Sequence, residues 1–211
     1  MINKGAVMIS SHFPSAQFTF DVNKSTLFKM NNENKINILG VEQLNTLKNV
    51  SLLDIFLSTN QVVEPHYHQN AAELVYCIAG SAAISLLNPN TKQIQTYTIT
   101  PGQVVNIPQG WWHYEVAIVD HTHLLAIFDA PTPEVILGSD ILKFTPPHIM
   151  AHTYCIDESL WKETIAPITP STYIGPSKGC RNYKHTNPPY HPNMNSYNWY
   201  MNPFTHYPYS Y

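Results

Sequence analysis

The sequence predicts an all-β domain, a β-sandwich or barrel, and three observations lead there. Short runs in which apolar residues alternate recur along residues 51–128, as expected for strands with one buried face. Turn signals separate these runs at intervals of roughly eight to twelve residues, the rhythm of a sandwich or barrel. The 211 residues, 44% of them apolar, suffice for one good-sized domain with a real core.

Residues 1–25 are mixed, with Phe13, Phe18 and Phe20 as scattered apolar anchors, and are expected to form an arm packed on the domain. Lys24–Leu44 is polar except for a short apolar stretch at Ile36–Val41. From Ser51, Leu53, Ile55 and Leu57 alternate with their neighbours as a strand. Glu73–Ala79 and Ala82–Leu87 follow, joined tightly at Gly80-Ser81. Asn88-Pro89-Asn90-Thr91 is a turn, Gln93–Thr100 alternates again, and Pro101-Gly102 turns the chain once more. Val104–Ile107, Tyr114–Ile118 and Leu124–Phe128 complete at least seven short strands.

After Pro133 the pattern changes. Pro146–Cys155 carries prolines where a first helical turn tolerates them, with Ile149, Met150 and Tyr154 near one face. Asp157 is placed to cap a second short helix, Glu158–Ile165, with Leu160 and Trp161 facing inward. Residues 181–211 hold seven Tyr, six Asn, five Pro and three His but no Leu, Ile or Val, a low-complexity composition. The expected organisation is an arm at 1–25, a domain with C-terminal helices at 26–170, and a tail at 171–211.

Composition excludes several functions. Eleven Lys+Arg against fourteen Asp+Glu leave a net charge of −3, with no basic footprint for nucleic acid. No segment approaches the length of a membrane-spanning helix, and the first residues lack the apolar stretch of a secretory signal. A cytoplasmic location is therefore expected. Cys77, Cys155 and Cys180 are odd in number and lack C-x-x-C spacing, so they read as free thiols. Arg181, in the tail, is the chain's one arginine.

The chemistry concentrates around Pro65-His66-Tyr67-His68 and Glu73. Residues i and i+2 of a strand share a face, so His66 and His68 can aim two imidazoles at one point. Glu73 opens the next strand and can return a carboxylate. Pro108 and Gly110 make a tight entry that aims His113 inward. Three imidazoles and one carboxylate suit a divalent first-row metal, such as Mn, Fe, Co, Ni or Zn. With four protein ligands, an octahedral ion keeps two positions open for substrate or dioxygen. His121 and His123 repeat the i, i+2 spacing without a matching acid and read as surface or rim residues. His148 and His152, four apart on the expected helix, also lack a partner acid and read as structural. Cys77 shares the parity of Glu73 and reads as a core residue.

These positions resemble the cupin superfamily. His66, His68, Glu73 and Gly80 match H-x-H-x4-E-x6-G, and Gly102, Pro108, Gly110 and His113 match G-x5-P-x-G-x2-H. Two positions depart from it: Asn60 stands where a glycine is usual, and Ala117 where an asparagine is. Asn60 can still adopt the left-handed turn conformation. Ile127–Glu134, Ser139-Asp140-Ile141-Leu142 and Thr145-Pro146-Pro147 look like germin-type cupins, in particular single domains of the oxalate decarboxylase family. The resemblance covers roughly residues 25–165. It implies a double-stranded β-helix (jelly-roll) barrel, a Mn(II) ion held by His66, His68, Glu73 and His113, a bound small carboxylate, and dioxygen-dependent decarboxylation or oxidation. It also implies a homo-oligomer paired through barrel edges and terminal helices.

Residue by residue, the family's proton-donating loop glutamate corresponds to Glu134. Its substrate-gripping arginine corresponds to Val63, which has no guanidinium fork to offer a carboxylate. Trp111, Trp112 and Tyr114 either wall the pocket mouth, brace the His113 strand or fill the core. Two functions follow: an oxalate decarboxylase-like metal enzyme, or a structural protein, as in cupins that serve for storage or as scaffolds. Under the second, the tail mediates assembly. It resembles tails of bacterial spore-coat proteins, which would place the protein in a spore coat if its source forms spores.

Overall fold

The structure is a computed structural model that describes residues 15–177 and residue 180. The stretch 181–211, the greater part of the expected tail, and residues 1–14 of the expected arm lie outside the described residues.

The alternating runs fold into two antiparallel sheets. In spatial order the first holds β1 (Thr26–Lys29), β2 (Lys35–Leu39), β3 (Ser51–Leu57), β10 (Thr122–Phe128), β5 (Glu73–Ala79) and β8 (Val104–Ile107). The second holds β11 (Ile136–Leu137), β4 (Val62–Tyr67), β9 (His113–Ala117), β6 (Ala82–Leu87) and β7 (Ile94–Ile99). A further short strand, β12 (Ile174–Gly175), also pairs with β4. The sheets enclose one core, with Ile55, Val75, Ile84, Leu124 and Phe128 almost fully buried. This is the expected jelly-roll barrel.

Each strand named from the sequence is present. The clearest alternation is on β10, where Thr122, Leu124, Ala126 and Phe128 are buried and the residues between them are partly exposed. Gly80 makes the turn between β5 and β6 at φ +77°, and a Cβ there would sit 2.6 Å from the Thr122 backbone. Both conformation and space require glycine. Asn60 takes the left-handed conformation at φ 62° before β4.

Three short helices follow the barrel: α1 (Gly138–Phe144), α2 (Pro147–Tyr154) and α3 (Glu158–Ile165). Asp157 caps α3, its side chain accepting from the Leu160 N–H at 2.8 Å. The expected inward face of α3 is corrected in part: Leu160 is 62% exposed, and Ile165 is the buried residue. The apolar side of α2 is likewise open, with Ile149 and Tyr154 exposed. A short amphipathic pattern names an apolar face without saying what covers it. β1 was not anticipated, because Thr26, Leu27 and Lys29 are exposed and carry no alternation. The chain stays on the barrel through residue 177: Ile174 is 1% exposed, and the Glu64 N–H donates to the Tyr173 carbonyl. Among the described residues no helix is long and apolar enough to cross a membrane.

Candidate metal centre

One irregularity in β4 orients the centre. Val63 pairs with Glu115 and His66 with His113, so three steps on β4 match two on β9. The extra residue is a β-bulge, and Pro65 sits in it, where a missing N–H is tolerated. Val63 and His66 would otherwise lie on opposite faces. The bulge turns both inward and sends Glu64 outward. His68 follows directly after β4, Glu73 begins β5 in the facing sheet, and His113 begins β9.

The four side chains meet in the barrel. Each offers one ligand atom, and all four atoms lie within 4.8 Å of one another. Exposure is 5% for His66, 4% for His68, 3% for Glu73 and 0% for His113. The Nδ1–H of each imidazole donates to a main-chain carbonyl: His66 to Glu64 at 2.6 Å, His68 to Glu134 at 2.8 Å, His113 to Trp111 at 2.8 Å. A carbonyl only accepts, so Nδ1 carries the proton in every case and Nε2 presents a lone pair. That is the tautomer a ligating histidine needs, set by the backbone.

Two of these lone pairs, on His68 and His113, are unanswered among the described residues. Glu73 Oε2 lies 2.9 Å from His113 Nε2 and 3.4 Å from His68 Nε2. Neither approach has hydrogen-bond geometry, leaving all three atoms buried without a partner among the described residues. Acceptors this close repel unless a proton or cation lies among them. Burial, and then His113 beside it, push the His66 imidazole down to about 3, so it is neutral at physiological pH. Burial opposes ionisation of Glu73, but the pull of His113 and His68 outweighs it and keeps the carboxyl below its usual range. Burial likewise disfavours charge on His113, and Glu73 more than offsets it and raises the imidazole. A buried carboxylate beside three imidazoles whose Nδ1 atoms already serve main-chain carbonyls fits a divalent metal ion.

A cavity of about 110 Å³ opens beside the donors. His66, His68, Glu73 and Glu115 line it, and the rest of the lining is largely aliphatic, including Ile36, Ile55, Val63 and Leu137. A larger groove of about 650 Å³ lies on the outer side of β4, between α1 and residues 167–177, and contains none of the four donors.

The other sequence-derived residues fall elsewhere. The Glu134 carboxylate is exposed and accepts from Gln69 Nε2 at 2.9 Å, while its main-chain carbonyl orients His68. Trp111 packs against the core, and its carbonyl accepts from His113 Nδ1 and so orients that ring. Trp112 lines the outer groove. His121 is exposed in a turn, as expected. The expectation that His123 lacks an acid is corrected: it pairs with Asp54, 69 residues earlier and on the neighbouring strand, at 2.6 Å while stacking on Phe56. His148 and His152 are exposed on α2.

Besides Asp54 at His123, two buried acids escaped the sequence reading. Glu64 accepts from the Ser139 N–H and hydroxyl and from the Tyr173 N–H. Its outward turn depends on the bulge, which no local pattern announces. Glu115 is 0% exposed and lines the cavity, and burial, then the charge of Glu73, push its carboxyl up to about 8. Its signal was available: Glu115 is two residues beyond His113 on the same strand, hence on the same face.

Comparison with known proteins agrees with this geometry. The family model described as Cupin matches residues 20–160. A 55-residue stretch, 26% of the chain, is 40% identical to cruciferin PGCRURSE5 of Raphanus sativus and covers 12% of that protein. Over 103 residues, 48% of the chain, it is 27% identical to germin-like protein 8-12 of Oryza sativa subsp. japonica and covers 45% of it. The chain thus spans under half the length of these relatives. Among solved structures, procruciferin, an 11S globulin from Brassica napus, superposes with a TM-score of 0.72 at 19% identity, covering 82% of this chain and 46% of that one. Oxalate decarboxylase from Bacillus subtilis superposes with a TM-score of 0.64, also at 19% identity, covering 76% of this chain and 43% of that one.

Proposed function

The chain belongs to the cupin family, and from that premise we propose that it is a divalent-metal protein acting on a small carboxylate, with Mn(II) as the foremost metal and Fe, Ni, Co or Zn as the alternatives. One observation carries the proposal: three imidazoles and one carboxylate converge, buried, beside a cavity, and among the described residues His68 Nε2, His113 Nε2 and Glu73 Oε2 have no hydrogen-bond partner. His66, His68, Glu73 and His113 would hold the ion. When bound, a divalent metal supplies positive charge that draws and polarises an oxygen ligand, and a redox-active one adds electron transfer.

The chain's own groups do the rest. The carbonyls of Glu64, Trp111 and Glu134 fix the three rings. The aliphatic walls keep water out, which strengthens any charge interaction inside. With Val63 at the wall in place of an arginine, the metal centre itself is the positive charge left to bind a carboxylate. Glu134, on the loop ahead of β11, is the proton carrier implied by the resemblance. Its carboxylate bonds Gln69 at the surface, so this role requires the loop to turn inward.

The test is metal analysis of protein purified without added metal, followed by incubation with oxalate while following formate, carbon dioxide and peroxide. Manganese near one ion per chain with turnover supports oxalate-type chemistry. An empty centre counts against a metal protein. Metal without turnover favours a second, non-catalytic reading as a structural or assembly protein, which the similarity to cruciferin and procruciferin supports. There the ion would stiffen the barrel, the protein would be a homo-oligomer, and the tail would mediate assembly in the cytoplasm or a spore coat. Truncation at residue 180 tests that: assembly lost with the metal retained supports it.

A further inference from the structure

Glu115 is the buried acid that a four-ligand metal centre leaves unused. Its side chain is inaccessible to solvent, and among the described residues neither carboxyl oxygen has a hydrogen-bond partner. It projects from β9 on the side of His113, lies opposite Val63 across the strand pair, and lines the cavity that reaches the metal ligands. A buried carboxyl with no partner among the described residues is costly to fold around, so its position points to a ligand that completes it.

The cavity's other features define that ligand. Its volume of about 110 Å³ limits the ligand to about six heavy atoms at most, since an apolar cavity of about 150 Å³ accommodates benzene. Among the described residues no lysine or arginine lines it. A second carboxylate on the ligand would therefore be buried without a cation of its own. Leu137, Ile55 and Val63 offer aliphatic contact to a small alkyl group. In either protonation state the Glu115 carboxyl has an oxygen that accepts a hydrogen bond. A hydroxyl needs one such acceptor, whereas an ammonium group has three donors to satisfy.

Resting on the metal reading above, we propose that Glu115 is a specificity-determining residue, and that the site takes a small aliphatic 2-hydroxy monocarboxylate. The carboxylate is drawn to the metal centre, the hydroxyl donates to Glu115, and the alkyl group packs on the aliphatic wall.

Three acids of similar size test this: L-lactate, propionate and oxalate, titrated calorimetrically into the Mn(II)-loaded full chain, with metal content measured on the same sample. Lactate is expected to bind about tenfold or more tightly than propionate, the worth of one hydrogen bond to a charged or buried acceptor, and more tightly than oxalate. Glu115→Leu is expected to bring lactate and propionate within about twofold, with Mn(II) stoichiometry unchanged. Glu115→Gln, which keeps an acceptor oxygen, should retain most of the preference and stands in if the leucine variant fails to fold. Oxalate binding tightest, no binding of lactate, or a lactate preference that survives Glu115→Leu overturns the inference alone. A chain that takes up no divalent ion overturns the metal reading and this inference with it.

Discussion

Glu64 and Ser139, 75 residues apart, are locked together: the Glu64 carboxylate accepts from the Ser139 N–H at 2.8 Å and from its hydroxyl at 2.9 Å. The same carboxylate accepts from the Tyr173 N–H at 2.8 Å, and the Glu64 carbonyl accepts from His66 Nδ1–H at 2.6 Å. One residue thus binds α1 and the β12 segment to the barrel and sets the ring of a proposed metal ligand.

Glu64→Ala removes the shared acceptor and leaves the buried Ser139 N–H and hydroxyl and the part-buried Tyr173 N–H to find new ones. Losing hydrogen bonds to a buried carboxylate costs about 1.5–3 kcal/mol each, and relaxation recovers part. A destabilisation of about 3 kcal/mol is expected in urea unfolding, together with faster proteolysis between residues 138 and 177, the span Glu64 tethers. A loss under 1 kcal/mol would mean that strand pairing alone holds the segment.

Removing the metal should weaken the fold as well as any activity. An ion present at about a thousand times its dissociation constant contributes about 4 kcal/mol, which for a domain of this size is roughly 10 °C in Tm. Chelation of the metal-loaded protein is expected to lower Tm by that order. His113→Ala should abolish the sensitivity to chelator, because it removes a ligand common to every four-donor arrangement. Calorimetry with and without EDTA measures both effects, and an unchanged wild-type Tm would count against a resident ion.

Cys77 is buried against the core while Cys155 and Cys180 are exposed, and burial raises the Cys77 thiol above its ordinary value. The thiolate is the reactive form, so access and ionisation act together here. Iodoacetamide on the native chain should label Cys155 and Cys180 and spare Cys77 until the protein is denatured. Mass spectrometry of peptides reads this directly, and early labelling of Cys77 would place β5 outside the stable core.

Much of the barrel was legible because its strands carry the alternation that burial of one face imposes, as Thr122–Phe128 does. The four donors were legible from spacing: i, i+2 on a strand for His66 and His68, a strand start for Glu73, and a Pro108–Gly110 turn for His113. What was not legible depends on partners distant in sequence. The bulge at Pro65 is defined by the mismatch of β4 with β9. The open side of α2 and α3, with Leu160 exposed, depends on what packs there, which local periodicity does not encode.

Glu115 joins stability to specificity, and its removal should be felt in both. Burying a polar group without a partner costs about 1–3 kcal/mol, and an apolar residue of similar volume avoids that cost. In the ligand-free protein Glu115→Leu is therefore expected to raise stability by about 1–3 kcal/mol in urea unfolding, with the slope unchanged. A gain accompanied by lost lactate selectivity would mark a site kept at the expense of the fold. A destabilisation of similar size would mean that the carboxyl is already satisfied in the free protein, and the case for a ligand that completes it would lapse.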